Sequence, residues 1–159
     1  MTVGSILLTQ VGEASSWVPV LECIVNDGVL AIATDVVGQI VEYEVAELPL
    51  ARDHVSGLAV IDGRLVVSLS PSSAATKGGR RWTKGVILHL GAEHVGITFA
   101  LEVREVRSLV DVTVSRSSAK SSAPWFSPAV TRDGREVYWL DARELVRRLT
   151  GVSTLGAGT

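Results

Sequence analysis

The stretch VSGLAVIDGRLVVSLS, at residues 55–70, places two apolar runs on either side of an Asp-Gly pair. A two-residue hairpin turn needs positive φ at both central residues, and Asp62 and Gly63 adopt it at low cost. The stretch therefore predicts an antiparallel hairpin whose strands are residues 58–61 and 65–69.

Three more pairs of apolar runs flank a turn signal, and each pair predicts another hairpin. Four hairpins in one chain predict an all-β domain of barrels or a sandwich, because each hairpin has an apolar face to bury. The three pairs are residues 21–25 with 29–33 around Asp27-Gly28, residues 86–90 with 95–99 around 91–94, and residues 128–131 with 136–140 around Asp133-Gly134.

Two short helices are expected beside the strands. The motif Asp141-Ala142-Arg143-Glu144 is a capping box, in which the Asp141 side chain bonds the first amides and Glu144 reaches back. It predicts a C-terminal helix with Arg147 and Arg148 in the last turn, where cations suit the helix dipole. A second helix is expected over residues 35–42, with one apolar side formed by Val36, Val37, Ile40 and Val41.

The composition excludes several classes of protein. Of the 159 residues 47% are hydrophobic, which is too apolar for a disordered chain. The net charge is -2, so there is no large basic field to hold a phosphate backbone, and nucleic-acid binding is not expected. The single cysteine, Cys23, excludes an internal disulfide and a multi-cysteine metal site, and it fits a reducing compartment.

Polar stretches divide the chain into an extension, a domain and a tail. Residues 1–19 are interpreted as an N-terminal extension or extra strand, residues 20–149 as the domain, and residues 150–159 as a flexible tail. Residues 70–81 and 115–124 are small and polar, so both are expected to be exposed loops inside the domain.

Neither a targeting signal nor a catalytic motif is found. The apolar stretch at residues 3–11 follows no Lys or Arg and is too short to span a bilayer, so neither a signal peptide nor direct membrane insertion is expected. The sequence has no G-x-S-x-G elbow and no Gly-rich loop ending in Lys-Ser or Lys-Thr. Cys23 lies in a predicted strand, where a buried and inert thiol is usual. We therefore expect no enzyme activity and no cofactor.

Two clusters leave other functions open. His89 lies on a predicted strand and His94 in the turn after it, and with Glu93 they form a candidate metal site in a small-barrel ligand-binding protein or enzyme. The second cluster surrounds Trp82 and suits nucleic acid, an acidic protein or a membrane surface. A solvated loop is the favoured interpretation of this cluster, since four charges attract only weakly at physiological salt. Its cations are Lys77, Arg80, Arg81 and Lys84.

Three blocks of the sequence, in this order, resemble a CheW-like domain. The first covers residues 21–69 and includes ATDVVGQIV at residues 33–41. It also includes the hairpin at residues 55–70, where Gly57, Gly63 and the apolar positions match the family's pattern. The other two blocks are KGVILHLGAEHVGITFALEVREV at residues 84–106 and WFSPAVTRDGREVYWLDARELV at residues 125–146.

The sequence also departs from the family's pattern. Asp62 stands where the family usually has Arg, Ser70 stands where it has Asp, and Ala100-Leu101 replaces Val-Asp. The family's arginine lies in the region that couples to receptor and kinase. Because reversing a charge at a paired interface position is costly, Asp62 points to an altered arrangement of partners.

The resemblance implies two intertwined five-stranded β-barrels, similar to SH3 barrels, around one apolar core. It also implies a cytoplasmic adaptor without chemistry, which bridges a histidine kinase of the CheA type and the cytoplasmic tips of chemoreceptors. An alternative interpretation of Val37 and Ile40 is that they are core residues without a role in binding. An alternative partner is another motility or polarity protein. The positions matching the family's contacts are Val37, Gln39 and Ile40 on the helix expected over residues 35–42, and Asp62 with Arg64 at the hairpin.

Overall fold

The central hairpins of the chain belong to one of two closed β-barrels. The computed structural model describes residues 16–26, 28–48, 54–71, 79–90, 97–114 and 126–150. A turn of 3-10 helix covers Thr34–Val36, and helix α1 covers Ala142–Thr150. The strands are β1 (Val18–Val25), β2 (Gly28–Ala33), β3 (Val37–Ala46), β4 (Val55–Ile61), β5 (Arg64–Leu69), β6 (Arg80–Leu90), β7 (Ile97–Val103), β8 (Glu105–Val114), β9 (Phe126–Thr131) and β10 (Glu136–Leu140).

The two barrels are interleaved along the chain. Barrel 1 closes in the order β1-β2-β10-β9-β8, so it takes its strands from both ends of the described chain. Barrel 2 closes in the order β3-β4-β5-β7-β6, from the middle of the chain. Each barrel has one parallel pair, β2 with β10 and β5 with β7, and its other neighbours run antiparallel. The expected all-β fold of two intertwined five-stranded barrels is confirmed.

All four predicted pairs of strands are present. In the hairpin of β4 and β5, Val60 pairs with Leu65, and the turn residues Asp62 and Gly63 have φ of 52° and 76°. Positive φ at both positions is what a tight turn between twisted strands requires. The strands of the other three hairpins also pair. In the hairpin of β1 and β2, Gly28 was expected in the turn but belongs to β2 and pairs with Val25. Asp27 and residues 91–96 lie outside the described residues. The loop expected at residues 115–124 lies outside them too.

The prediction of a helix over residues 35–42 is wrong. After the 3-10 turn the chain enters β3, which pairs antiparallel with β6. From Ile40 to Ala46 the side chains alternate between more and less exposed, which is the period of a strand. The β-branched residues of this segment favour a pleated sheet, and Gly38 weakens a helix, so local preference agrees with the tertiary pairing.

The apolar core has three parts. The largest, the interbarrel core, draws on β1 and β2 of barrel 1 and on β5, β6 and β7 of barrel 2, so it joins the barrels. Smaller clusters fill each barrel: Tyr43, Val45 and Ile87 are among the residues inside barrel 2. Val20 and Val112 are among those inside barrel 1. One shared core between two barrels is the arrangement that the resemblance implies.

Helix α1 begins where the capping motif predicts it. The backbone N–H of Glu144 donates to Oδ1 of Asp141 at 3.1 Å. Leu145, on the next position, is buried in the interbarrel core. The Glu144 carboxylate was expected to reach back to the start of the helix, but it accepts from Arg147 and Arg148 further along the helix. In the part of the chain that the structure describes, no helix is long and apolar enough to cross a membrane.

Candidate docking surface

A bulge in β3 makes Val37 and Gln39, which are two residues apart, point to opposite sides of the strand. Val37 pairs with Leu88 of β6 and Gln39 pairs with Ile87, so Gly38 is an extra residue on the β3 side. Paired residues point to the same side of a sheet. Leu88 belongs to the interbarrel core and Ile87 to the interior of barrel 2. Val37 therefore faces the interbarrel core, whereas Gln39 lies on the interior side of barrel 2.

Gln39 connects β3 to the turn between β4 and β5. Its Nε2 donates to Oδ2 of Asp62 at 3.0 Å, and both residues are exposed. Among the described residues, the backbones of β3 and β4 pair only where Ala46 meets Leu58. The side-chain hydrogen bond thus joins two segments that the sheet itself leaves unpaired.

Apolar side chains are exposed on the same elements. Ile40 follows Gln39 and is 50% exposed, and the cross-strand pair of Val60 and Leu65 flanks the turn at 68% and 70% exposure. Arg64, beside Asp62 and Gly63, is exposed as well. Single exposed apolar residues are common, but a group of them framed by polar side chains is typical of an interaction site. We call this set the docking surface: Gln39, Ile40, Val60, Asp62, Arg64 and Leu65.

The five residues predicted to bind a partner thus fall into two groups, four exposed residues and one that packs against the core. Gln39 and Asp62 touch each other, and Ile40 and Arg64, within two residues of them in the sequence, are exposed. Val37 is half-buried and packs against the interbarrel core, which fits its alternative interpretation as a core residue. Val37, Gln39 and Ile40 lie on strand β3 and not on a helix. Their role in binding stays a prediction.

Sequence reasoning missed Val60 and Leu65. The run Leu58-Ala59-Val60-Ile61 is apolar throughout, so its pattern does not show which residues point outward. The hairpin register contains the missing signal: Ala59 is buried inside barrel 2, so Val60, its neighbour on a strand, points to the other side. Its partner Leu65 then shares the outer side with it.

The basic cluster around Trp82 lies on a strand and not in the loop that was expected. Arg80, Arg81 and Lys84 lie on β6, and Trp82 is 72% exposed between them. The Arg81 guanidinium donates to Oε2 of Glu102 at 2.7 Å, and this hydrogen bond raises the pKa of Arg81.

The other cations of this cluster also face acidic residues. Arg80 lies 3.6 Å from the Glu44 carboxylate, and Lys84 pairs across the sheet with Glu42. Lys77 is outside the described residues. The described cations are therefore offset by neighbouring carboxylates, and they do not form the free basic patch that nucleic acid would need.

His89 and Cys23, the candidates for a metal ligand and a nucleophile, lie on different strands, β6 and β1. His89 is exposed, and its Nδ1 lies 3.1 Å from Oγ1 of Thr98, whereas Glu93 and His94 are outside the described residues. The described part of the chain holds no group of three His, Cys, Asp or Glu residues placed for a metal ion. Cys23 is buried, and burial raises the pKa of its thiol to about 12. A thiol with this pKa stays protonated and is a poor nucleophile at neutral pH.

Comparison with known proteins gives a consistent result. The solved structures that match include the scaffolding protein TtCheW from Thermoanaerobacter tengcongensis, with a TM-score of 0.61 at 11% identity. The match covers 79% of this chain and 89% of that one, and at this identity it shows the fold. No curated protein matches the sequence. The family model described as the CheW-like domain matches residues 19–150. With two interleaved barrels on one core and a match over most of its length, the chain belongs to the CheW-like domain family.

Proposed function

We propose that this chain is a non-enzymatic adaptor of a bacterial chemosensory or motility system. Its docking surface would bind the regulatory domain of a CheA-type histidine kinase, the cytoplasmic tip of a chemoreceptor, or both. Membership of the CheW-like family supports an adaptor role, and the matching solved structure is described as a scaffolding protein. Because such partners act in the cytoplasm, we expect the chain to work there.

The observation that carries the proposal is the polar link from Gln39 to Asp62, with exposed apolar residues on β3 and on the two strands that flank the turn. A stable interface buries roughly 800 Å² on each partner and combines apolar anchors with a polar rim. Ile40, Val60 and Leu65 have the exposure that anchors need, while Gln39, Asp62 and Arg64 supply hydrogen bonds and charge. These residues come from β3 and the β4–β5 hairpin, which barrel 2 holds in place.

The direct test measures binding of the whole chain to two purified fragments. One is the regulatory domain of the CheA-type kinase from the same genome, and the other is a chemoreceptor cytoplasmic tip. We expect titration calorimetry to detect binding to at least one fragment at micromolar concentrations. Binding to neither would contradict the kinase and receptor assignment.

A matched pair of variants locates the binding site. Leu65 on barrel 2 and Leu109 on barrel 1 are both 70% exposed, so truncating either one changes the stability of the fold little. We expect Leu65→Ala to weaken binding about fivefold or more, the loss typical of an interface anchor. Leu109→Ala should leave the affinity unchanged. Equal effects of the two variants would place the interface elsewhere.

The acidic character of Asp62 supports a second candidate, in which the same surface serves another motility or polarity protein. The carboxylate is exposed and held in place by Gln39, so a partner would meet a negative charge there. The variant Asp62→Arg separates the two candidates. If the kinase or receptor fragment is the natural partner and fits Asp62, this variant weakens binding to that fragment. If the chain has moved to a non-standard partner, the same variant instead strengthens binding to the CheA-type domain.

A further inference from the structure

The ring of His89 lies against the backbone of β3 where the bulge occurs. A Cβ atom at Gly38 would overlap Cδ2 and Nε2 of His89 and would lie 3.3 Å from the backbone oxygen of Ile87. Only a glycine leaves room for the imidazole at this position. On its other side the ring is held by Thr98, whose Oγ1 is 3.1 Å from Nδ1. The bulge therefore has a side chain packed on it that is itself anchored to β7.

The bulge decides to which side of β3 each of its residues points. In a regular strand Val37 and Gln39 would point to the same side, because side chains alternate with a period of two. The extra residue Gly38 breaks this rule and sends Val37 to the interbarrel core and Gln39 to the interior side of barrel 2. That orientation lets the Gln39 amide reach Asp62. The three residues from Gly38 to Ile40 are all exposed, an unusual run for a strand in a closed barrel.

We infer that His89 is a positioning residue for the docking surface: it fixes the Gly38 bulge and thereby sets the orientation of Gln39 and Ile40. This inference rests on the proposed function for its role in binding. It assigns to His89 a structural task within barrel 2 and needs no metal ion. Thr98 takes part by holding the ring over the glycine.

The test uses a second-site rescue. Gly38→Ala forces the His89 ring away, so we expect about tenfold weaker binding of the partner fragment while the chain stays folded. His89→Ala alone leaves the bulge unsupported and should weaken binding less, by about threefold. In the His89→Ala background the overlap with the ring is gone and only the backbone oxygen of Ile87, at 3.3 Å, stays close to the methyl group, so Gly38→Ala should add a much smaller loss. A full tenfold loss in that background, or no loss from Gly38→Ala alone, would overturn the inference.

A second readout needs no partner. Amide hydrogen exchange at Gln39 and Ile40 reports whether this part of β3 is held in place. We expect faster exchange there in Gly38→Ala and His89→Ala than in the natural chain, with exchange at Val45 on the same strand unchanged. Thr98→Val should give a smaller acceleration, and none once His89 is absent. Unchanged exchange in both single variants would overturn the positioning role. If the natural chain binds neither fragment, only the proposed function fails, because the exchange data still decide the role of His89.

Discussion

Arg135, just before β10, places both terminal nitrogens of its guanidinium on the carboxylate of Glu22 in β1, at 3.0 and 3.3 Å. Glu22 is 1% exposed and lies next to the apolar interior of barrel 1. Barrel 2 has a similar pair, in which Arg81 binds the largely buried Glu102. Each barrel thus holds a largely buried carboxylate against an arginine, and in barrel 2 Arg81 also lies 3.7 Å from the similarly buried carboxylate of Glu47. A bidentate arginine is well suited to this task because its fork matches the two carboxylate oxygens.

Replacing Arg135 with methionine should destabilise the chain clearly, because Glu22 then keeps a buried charge with no partner. The matched control is Arg132→Met in the same turn, which loses an exposed ion pair with Asp111 and a cation–π contact with Trp17. We expect urea denaturation to show a large drop in midpoint for Arg135→Met and a small one for Arg132→Met. The double variant Glu22→Leu with Arg135→Met should recover part of the loss. Equal losses in the two single variants would contradict this account.

Removing the cap of helix α1 should cost about 1 kcal/mol of unfolding free energy, the usual value for an N-cap acceptor. Asp141→Ala deletes the acceptor of the Glu144 amide. Asp141→Ser keeps an oxygen in place and should cost much less. Thermal and urea denaturation measure both variants. The effect reaches the whole chain because the helix buries Leu145 in the interbarrel core. A Ser variant as unstable as the Ala variant would contradict a capping role.

The sequence pattern predicts the strands of this fold better than it predicts their faces. The Asp-Gly turns and the alternating apolar runs depend on local chemistry, so all four hairpins and the C-terminal helix are predicted correctly. The apolar residues at 36, 37, 40 and 41 recur with a helical spacing. That spacing misleads, because the β-branched side chains and the pairing with β6 both favour a strand. Without that pairing, the Gly38 bulge cannot be predicted.

For the candidate site too, the sequence indicates some of the residues but not how they are arranged. Gln39 and Asp62 are 23 residues apart, and resemblance to a family selects both of them without indicating that they touch. Val60 and Leu65 are hidden in apolar runs, because the sequence does not show which side of the hairpin faces outward. Long-range contacts of this kind follow from the closure of barrel 2 and not from any local pattern.

Adding a methyl group at Gly85 should destabilise barrel 2 by about 1–3 kcal/mol, the usual cost of overpacking a core. A Cβ at this position would lie 2.6 Å from Cε1 of Tyr43 and 2.9 Å from the backbone oxygen of Leu101. We expect urea denaturation to show the loss for Gly85→Ala. In a Tyr43→Leu background the additional loss should shrink, although part should remain because the Leu101 oxygen cannot move freely. An undiminished loss in that background would show that Tyr43 is not the obstacle.

The chain should lose stability in alkaline solution partly through Cys23. Burial raises the pKa of this thiol from its ordinary value of 9.0 to about 12. Above pH 9 the unfolded chain releases the proton while the folded chain keeps it, so stability falls as pH rises from 9 towards 12. We expect Cys23→Ala to show a smaller loss of unfolding free energy between pH 8 and pH 10.5 than the natural chain. Burial also raises the pKa of Tyr43, so some loss remains in the variant. Identical pH dependence of the two chains would contradict the assignment to Cys23.

The hydrogen bond between Gln39 and Asp62 should couple the two residues in partner binding. Asp62→Gly removes the carboxylate and still accepts the positive φ of the turn, and Gln39→Ala removes the donor. If a partner binds this pair as a unit, each variant weakens the complex, and the double variant is weaker by less than the sum of the two losses. We expect a coupling of about 0.5–1.5 kcal/mol, the net value of one hydrogen bond, from calorimetric titration of the four proteins with the kinase fragment. Lys84→Ala on β6 is the control and should show no coupling to Asp62→Gly. Strictly additive losses would mean that Gln39 and Asp62 contact the partner independently, and unchanged affinity in all variants would exclude them from the interface.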